Sequence, residues 1–315
     1  MPIHLRWLGF LAVVLAALAL AFAAMSAPSR QVDPPVAVDT SFHDPQPVAI
    51  QGYDGDAMEP FLSRDGRYLF FNNSNDSKVN TNLYWAERVD DLHFKFRGEI
   101  EGVNTPALEA VASMDRQGNF YFVSNRSYGQ TASTLYRGKF ANGKLTSIEL
   151  IPGVSRAQPG IVNFDAEISA NGNTLYFVES QFSFLGQPQW AKILIAHRVG
   201  DRFVRDEQST TIMNQVNSGT LNYAPASTES QCELFFTRVT AIGPAVFAAN
   251  RNAKGQPFQN VRRIAAITGF AEAPTLSPDG LSLYFHRKEN DHFVLYRVTR
   301  SPQQQPAGVA GGCGD

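Results

Sequence analysis

Four acidic residues stand at matching places in this chain. Glu59, Glu109 and Asp165 each lie four residues before a hydroxyl residue, Ser63, Ser113 and Ser169, and Glu272 lies five before Ser277. Ahead of Thr228 the corresponding place holds Tyr223 or Ala224. Carboxylates brought together raise one another's pKa, because each disfavours ionisation of the next, and such a group can divide into an acid and a base. Two plainer roles fit the same residues: a carboxylate at a strand start can accept backbone N–H bonds from the adjoining loop, or pair with an arginine such as Arg126. Oxygen ligands also suit calcium, but no D-x-D-x-D loop occurs, and no metal or other cofactor is expected.

Which of these roles applies depends on the elements that hold the carboxylates. Each acidic residue opens a copy of one pattern: EPFLSRDGRYLFFNNS from Glu59, EAVASMDRQGNFYFVSN from Glu109, DAEISANGNTLYFVES from Asp165 and EAPTLSPDGLSLYFHR from Glu272. APASTESQCELFFTR, from Ala224, is a fifth copy without the acid. A few strand residues pass a hydroxyl, turn at Asp65-Gly66, Gln117-Gly118, Asn171-Gly172, Glu229 to Gln231 or Asp279-Gly280, and resume as an aromatic strand. A third strand follows each copy, such as Leu83-Tyr84-Trp85 or Leu295-Tyr296-Arg297, and then a more polar fourth, such as 144–151 or 258–267. The hydroxyls follow one another at steps of 50, 56, 59 and 49 residues, the period of a propeller blade, and four antiparallel strands make one blade.

The pattern A-P-x-x-S-P-D-G-x-x-L-Y-F, running on to Ser124-Asn125-Arg126 and an L-Y-R strand, resembles the repeat of TolB-like (WD40-like) β-propellers over residues 47–300. The resemblance implies an all-β propeller that binds periplasmic or envelope proteins, or a glycan, through its top face and axial funnel. Glu59, Glu109, Arg126, Asp165 and Glu272 are its candidate ligand-binding residues. A second resemblance points to chemistry. Glu272-Ala273-Pro274 is similar to the motif around the general acid of five-bladed arabinanase-type glycosidases. That likeness implies Glu272 as proton donor and Glu59 or Asp165 as base, with carboxyls ~6.5–9.5 Å apart to admit a water. Where that family carries an Asp on the first inner strand, this chain has Glu59.

Five copies fill the region, so five four-stranded blades are expected. The last copy stops at Arg300 without a fourth strand, and residues 46–51 (QPVAIQ) are expected to supply it and so remove an exposed edge. With the inner strands starting at the top, the Asp-Gly turns lie at the bottom, and the C-terminal tail leaves beside the turn that holds Cys232. Thirteen residues separate Arg300 from Cys313 and span up to ~40 Å when extended, so a Cys232–Cys313 disulfide is sterically open, as are two free thiols. The long loops 73–82, 125–134 and 180–190 should lie on top. The third, with Phe182, Phe184, Leu185 and Trp190, is either a contact surface or a set of rings packed over its blade.

Composition closes off several classes. The net charge of −2, with Lys and Arg scattered, leaves no electrostatic footprint for nucleic acid. No G-x-S-x-G, H-E-x-x-H or phosphate loop occurs, and His93, His197, His286 and His292 have no partners at meaningful spacing. The first 27 residues, with His4, Arg6 and an apolar run from Leu8 to Ala24, read as a cleaved signal peptide. Residues 28–46 then read as a Pro- and Asp-rich lead-in, and 301–315 as a flexible tail. The expectation is a monomeric periplasmic or secreted protein with no membrane span after cleavage.

Overall fold

The computed structural model describes residues 37–76, 79–183 and 186–306. The expected signal peptide, Phe184, Leu185 and Cys313 lie outside the described residues. Two strands, β1 (Ala37–Asp39) and β2 (His43–Gln51), precede the repeats. Four antiparallel meanders follow: β3–β6 (Met58–Leu62, Tyr68–Asn72, Leu83–Arg88, His93–Glu99), β7–β10 (Glu109–Met114, Asn119–Ser124, Leu135–Ala141, Lys144–Leu150), β11–β14 (Ile161–Ile168, Thr174–Phe182, Pro188–Val199, Arg202–Arg205) and β15–β18 (Asn222–Ser227, Glu233–Thr240, Gly243–Asn250, Gln259–Ile264). A fifth begins with β19–β21 (Ala271–Leu276, Ser282–Glu289, His292–Thr299). Their first strands, β3, β7, β11, β15 and β19, pack side by side in that cyclic order.

Strand β2 joins the end of the chain to its beginning. It pairs antiparallel with β21, Pro47 opposite Tyr296, and parallel with β6, Ile50 opposite Phe94. The fifth meander thereby has a fourth strand, and neither β21 nor β6 is left as an open edge. The described part of the lead-in is built into the sheets as well. β1 runs parallel to β18, and β2 starts at His43, four residues before the expected boundary. Residues 46–51 are the strand expected here, and Pro45 hid its first residues; both prolines are tolerated because that half of β2 pairs with β21 alone, β6 taking only Ala49–Gln51.

A buried ion network fastens the seam. Glu233 is fully buried and receives Arg300 at 2.7 Å and Arg262 at 2.9 Å, and Arg262 also binds Asp39 of β1 at 2.6 Å. Arg300 lies 4.7 Å over the Phe42 ring, which packs edge-on against Phe235 at 5.7 Å. The start of the tail is held too: residues 302–304 form a 3₁₀ turn, and Gln305 donates to the Asp279 carbonyl at 2.9 Å. Aromatic side chains fill the spaces between sheets, as where Phe70 of β4 meets Phe120 and Phe140 of the next meander at 5.1 and 4.9 Å.

The repeated hydroxyl is a turn device. Ser63 donates to Asp65 at 2.6 Å and accepts the Tyr68 N–H at 2.9 Å; Ser169 bonds Asn171 and Thr174 in the same way, and Ser277 accepts from Ser282 at 2.9 Å. In the second meander this place belongs to Asp115, which accepts the Asn119 N–H at 2.9 Å, and Ser113 sits two residues earlier in the register.

Candidate functional site

Each innermost strand carries a β-bulge near its start, marked by a register skip and a left-handed residue. The bulge residues are Glu59 (φ +51°), Val111 (φ +56°), Asp165 (φ +48°), Ala224 (φ +48°) and Ala273 (φ +55°). Proline follows three of them, Pro60, Pro225 and Pro274, where the bulged backbone makes no ladder bond and a missing N–H costs nothing. The A-P of the repeat is therefore a bulge signature. The counterpart of Glu59 and Asp165 in the second meander is Val111, and Glu109 stands two residues too early. Glu272 and Tyr223 share the place just before the bulge with Met58, Ala110 and Phe164.

The bulge N–H groups are tied to neighbouring meanders. Glu59 N–H donates to His286 Nδ1 at 3.1 Å, Val111 N–H to Asn72 Oδ1 at 3.0 Å, and Ala273 N–H to Thr237 Oγ1 at 3.0 Å. His286, Asn72 and Thr237 occupy one register position, opposite the residue before the bulge. In the third meander that position is Val178, which has no acceptor, and the Asp165 carboxylate takes the Ala224 N–H itself at 2.8 Å.

Glu59, Asp165 and Glu272, from the first, third and fifth meanders, reach one pocket at the starts of the inner strands, with Tyr223 beside them and Phe270 and Phe293 as an apolar wall. All three carboxylates are buried, His286 completely so. Tyr223 O–H donates to Glu272 Oε1, and His286 Nε2 lies 3.3 Å from Glu272 Oε2. Nδ1 accepts from Glu59 N–H, so the ring presents an Nε2 donor to Glu272. Asn75, from the loop 73–82, donates to Glu59 Oε1 at 2.7 Å.

Burial pushes Glu59 up to about 8; His286 opposes the rise, and the charges of Asp165 and Glu272 add to it. Asp165 is pushed up to about 7, first by burial and then by Glu272, against the Ala224 N–H. Burial, with Glu272 next, raises Tyr223 well above its usual 10. Near neutral pH Glu59 therefore holds a proton and Asp165 shares one about half the time, while Glu272 accepts from Tyr223. The cavity between them is about 30 Å³, room for a water or two.

The other sequence candidates lie elsewhere. Glu109 is fully buried and accepts from Thr105 N–H at 2.7 Å and Ser124 Oγ at 2.7 Å, with Arg126 at 3.1 Å. Arg126 also binds the Val103 carbonyl and stacks over Phe122 and Tyr136 at 5.4 and 5.2 Å. Both fasten the loop ahead of β7, and neither enters the axial pocket. Phe182 and Trp190 are strand residues, Phe182 buried and Trp190 half-buried with Lys192 5.6 Å over its ring. Cys232 is buried and is not a free thiol. Among the described residues no group of His, Cys, Asp or Glu is placed to hold a metal ion, and no helix is long and apolar enough to cross a membrane.

No protein-family model matches the chain, and no curated protein matches it. Solved structures do. A glycoside hydrolase superposes with a TM-score of 0.54 at 9% identity, covering 92% of this chain and 96% of that one. The α-L-arabinofuranosidase PaAbf62A of Podospora anserina, solved with cellotriose, gives a TM-score of 0.53 at 10% identity over 85% of this chain and 98% of that one. TolB of Acinetobacter baumannii gives 0.45 at 14% identity over 78% of this chain, which spans 55% of that longer protein. At these identities the likeness shows the fold: the chain is an all-β protein of the propeller type.

Proposed function

We propose that the chain is an exported, monomeric propeller of five four-stranded blades with a TolB-like repeat, closed by β2, and that it binds a periplasmic or envelope protein, or a glycan, through its top face and axial pocket. The disulfide from Cys232 to Cys313 belongs to the same reading. One observation carries it: Glu59, Asp165 and Glu272 converge at the axis although the fold does not require acids there. The bulge places of Glu59 and Asp165 hold Val111, Ala224 and Ala273 in the other blades, the place of Glu272 holds Met58, Ala110, Phe164 and Tyr223, and the same backbone forms without a carboxylate. Buried carboxyls with no Arg or Lys partner among the described residues are costly, so their presence in one pocket speaks for recognition. A cavity of about 30 Å³ admits a side-chain tip or a hydroxyl, not a whole sugar ring, and so favours binding over turnover.

The second reading is a carbohydrate-active hydrolase. It is favoured by the split between proton-holding Glu59 and Asp165, up to about 8 and 7, and the acceptor Glu272. The roles are then the reverse of those the short motif implies: Glu59 or Asp165 is the proton donor, and Glu272 the base. Screening plant and bacterial polysaccharides with the native protein, Glu59→Gln and Glu272→Gln decides between them. Reducing-sugar release lost in the variants supports the hydrolase. No release across the panel, with a cross-linked envelope partner lost in the same variants, supports the binding module, and partner capture that ignores both substitutions removes the axial pocket from either role.

A further inference from the structure

The opposite end of the axis holds a larger cavity, about 410 Å³, within the range of small-molecule sites, roughly 300–1,000 Å³. It lies between the turns that follow the inner strands. Arg64, at its depth, is oriented from behind: Nη2 donates to Glu167 Oε1 at 2.7 Å and to the Ile168 carbonyl, and Nε donates to the Met114 carbonyl at 3.3 Å. Nη1 has no protein acceptor among the described residues. Beside it Ser227 is 2% exposed, and its hydroxyl has no hydrogen-bond partner among the described residues. A buried hydroxyl left unpaired costs stability, so a site that keeps one is built for a group the protein does not supply.

The rim has the opposite character. Glu229, half exposed, spends Oε2 on Arg116 at 2.7 Å, and exposed Asp279 spends Oδ1 on its own turn. One oxygen of each remains for a donor. Donors in the depth and carboxylates at the rim repel a simple anion but fit a molecule with both charges, and among the described residues no aromatic ring lines the cavity to stack on a sugar. We propose that this lower cavity binds a free α-amino acid, its carboxylate on Arg64 Nη1 and Ser227 Oγ and its ammonium between Glu229 and Asp279.

The test is calorimetry and ligand-observed NMR on the intact protein with the twenty free amino acids, and with propionate and n-propylamine as single-charge probes. At least one amino acid is expected to bind saturably, on the order of tenfold tighter than either probe. Ser227→Ala is expected to weaken that binding by on the order of tenfold while leaving the melting temperature of the unliganded protein unchanged or higher, since no internal bond is lost. Asp279→Asn keeps a turn-capping side chain and is expected to weaken the amino acid but not propionate. The proposal is overturned if no amino acid binds saturably, if propionate binds as tightly, or if Ser227→Ala binds like the native protein.

Discussion

Glu59 makes the stability of this protein depend on pH in an unusual direction. Its carboxyl titrates at about 8 in the folded chain against an ordinary 4.5. The folded state therefore holds a proton that the unfolded state has already released, and stability falls as pH rises through that interval. The shift is worth about 5 kcal/mol at roughly 1.4 kcal/mol per unit. That is a large share of the ~5–15 kcal/mol that holds a domain folded. The effect is small near pH 4.5 and complete above pH 8, and Asp165, rising from 3.8 to about 7, acts with the same sign over a window slightly lower. Glu59→Gln removes the titration but keeps an oxygen for Asn75. Urea unfolding at pH 5, 7 and 9 should show the native protein losing several kcal/mol across the series. The variant should match it within about 1 kcal/mol at pH 5 and exceed it by about 5 kcal/mol at pH 9. A native profile that is flat or rising from pH 5 to 9, or a variant that runs parallel to it, refutes the burial of an uncompensated carboxyl at the axis.

Two further substitutions separate the fasteners from the pocket. Glu233→Ala strands the fully buried Arg300 in the seam, while Arg262 keeps Asp39, and breaking a buried pair in this way costs about 3–5 kcal/mol, read as a drop in urea midpoint with m unchanged. Glu109→Gln loosens the loop ahead of β7 by about 1–3 kcal/mol, read as a drop in urea midpoint, and should leave binding at the axial pocket unchanged, because Glu109 does not line it.

Much of the fold was legible because each strand pair repeats its turn chemistry. The hydroxyl, Asp-Gly and aromatic strand recur for a mechanical reason: the hydroxyl bridges the turn residue and the next strand's N–H. The same regularity misled in the second meander. There Asp115 does the work of the hydroxyl, so counting back from Ser113 landed on Glu109 instead of Val111. His286 was missed because spacing to other histidines says nothing about it. Its meaning lies across the hairpin, where counting back from the Asp279-Gly280 turn sets it opposite Glu272. In the lead-in, β2 was legible from residue 46, while Pro45 hid its start and the three residues of β1 were too few to read. Nothing in the sequence marks the lower cavity, since Arg64, from a turn, and Ser227, at the end of β15, stand 163 residues apart in the chain.

The five left-handed residues at the axis invite a functional reading that they do not carry. An L-residue in that conformation costs about 1–2 kcal/mol, and strain of this kind often marks a site. Here all five inner strands pay it, including Val111, a β-branched residue with no chemistry to offer. The strain therefore belongs to the architecture: each bulge turns a backbone N–H toward a side-chain acceptor on the neighbouring meander in four described cases. What singles out the pocket is which side chains the bulges present. His286 and Asp165 double as the acceptors that hold Glu59 and Ala224 in place, so the groups that tie the inner strands together are the ones that set the charge of the pocket. Protonating or binding anything at Asp165 must then alter the bond to Ala224 N–H, and through it the contact between the third and fourth meanders. A ligand seated on these carboxylates would thus be felt as a change in how neighbouring sheets are tied, and native-state hydrogen exchange at Ala224 is the place to look for it.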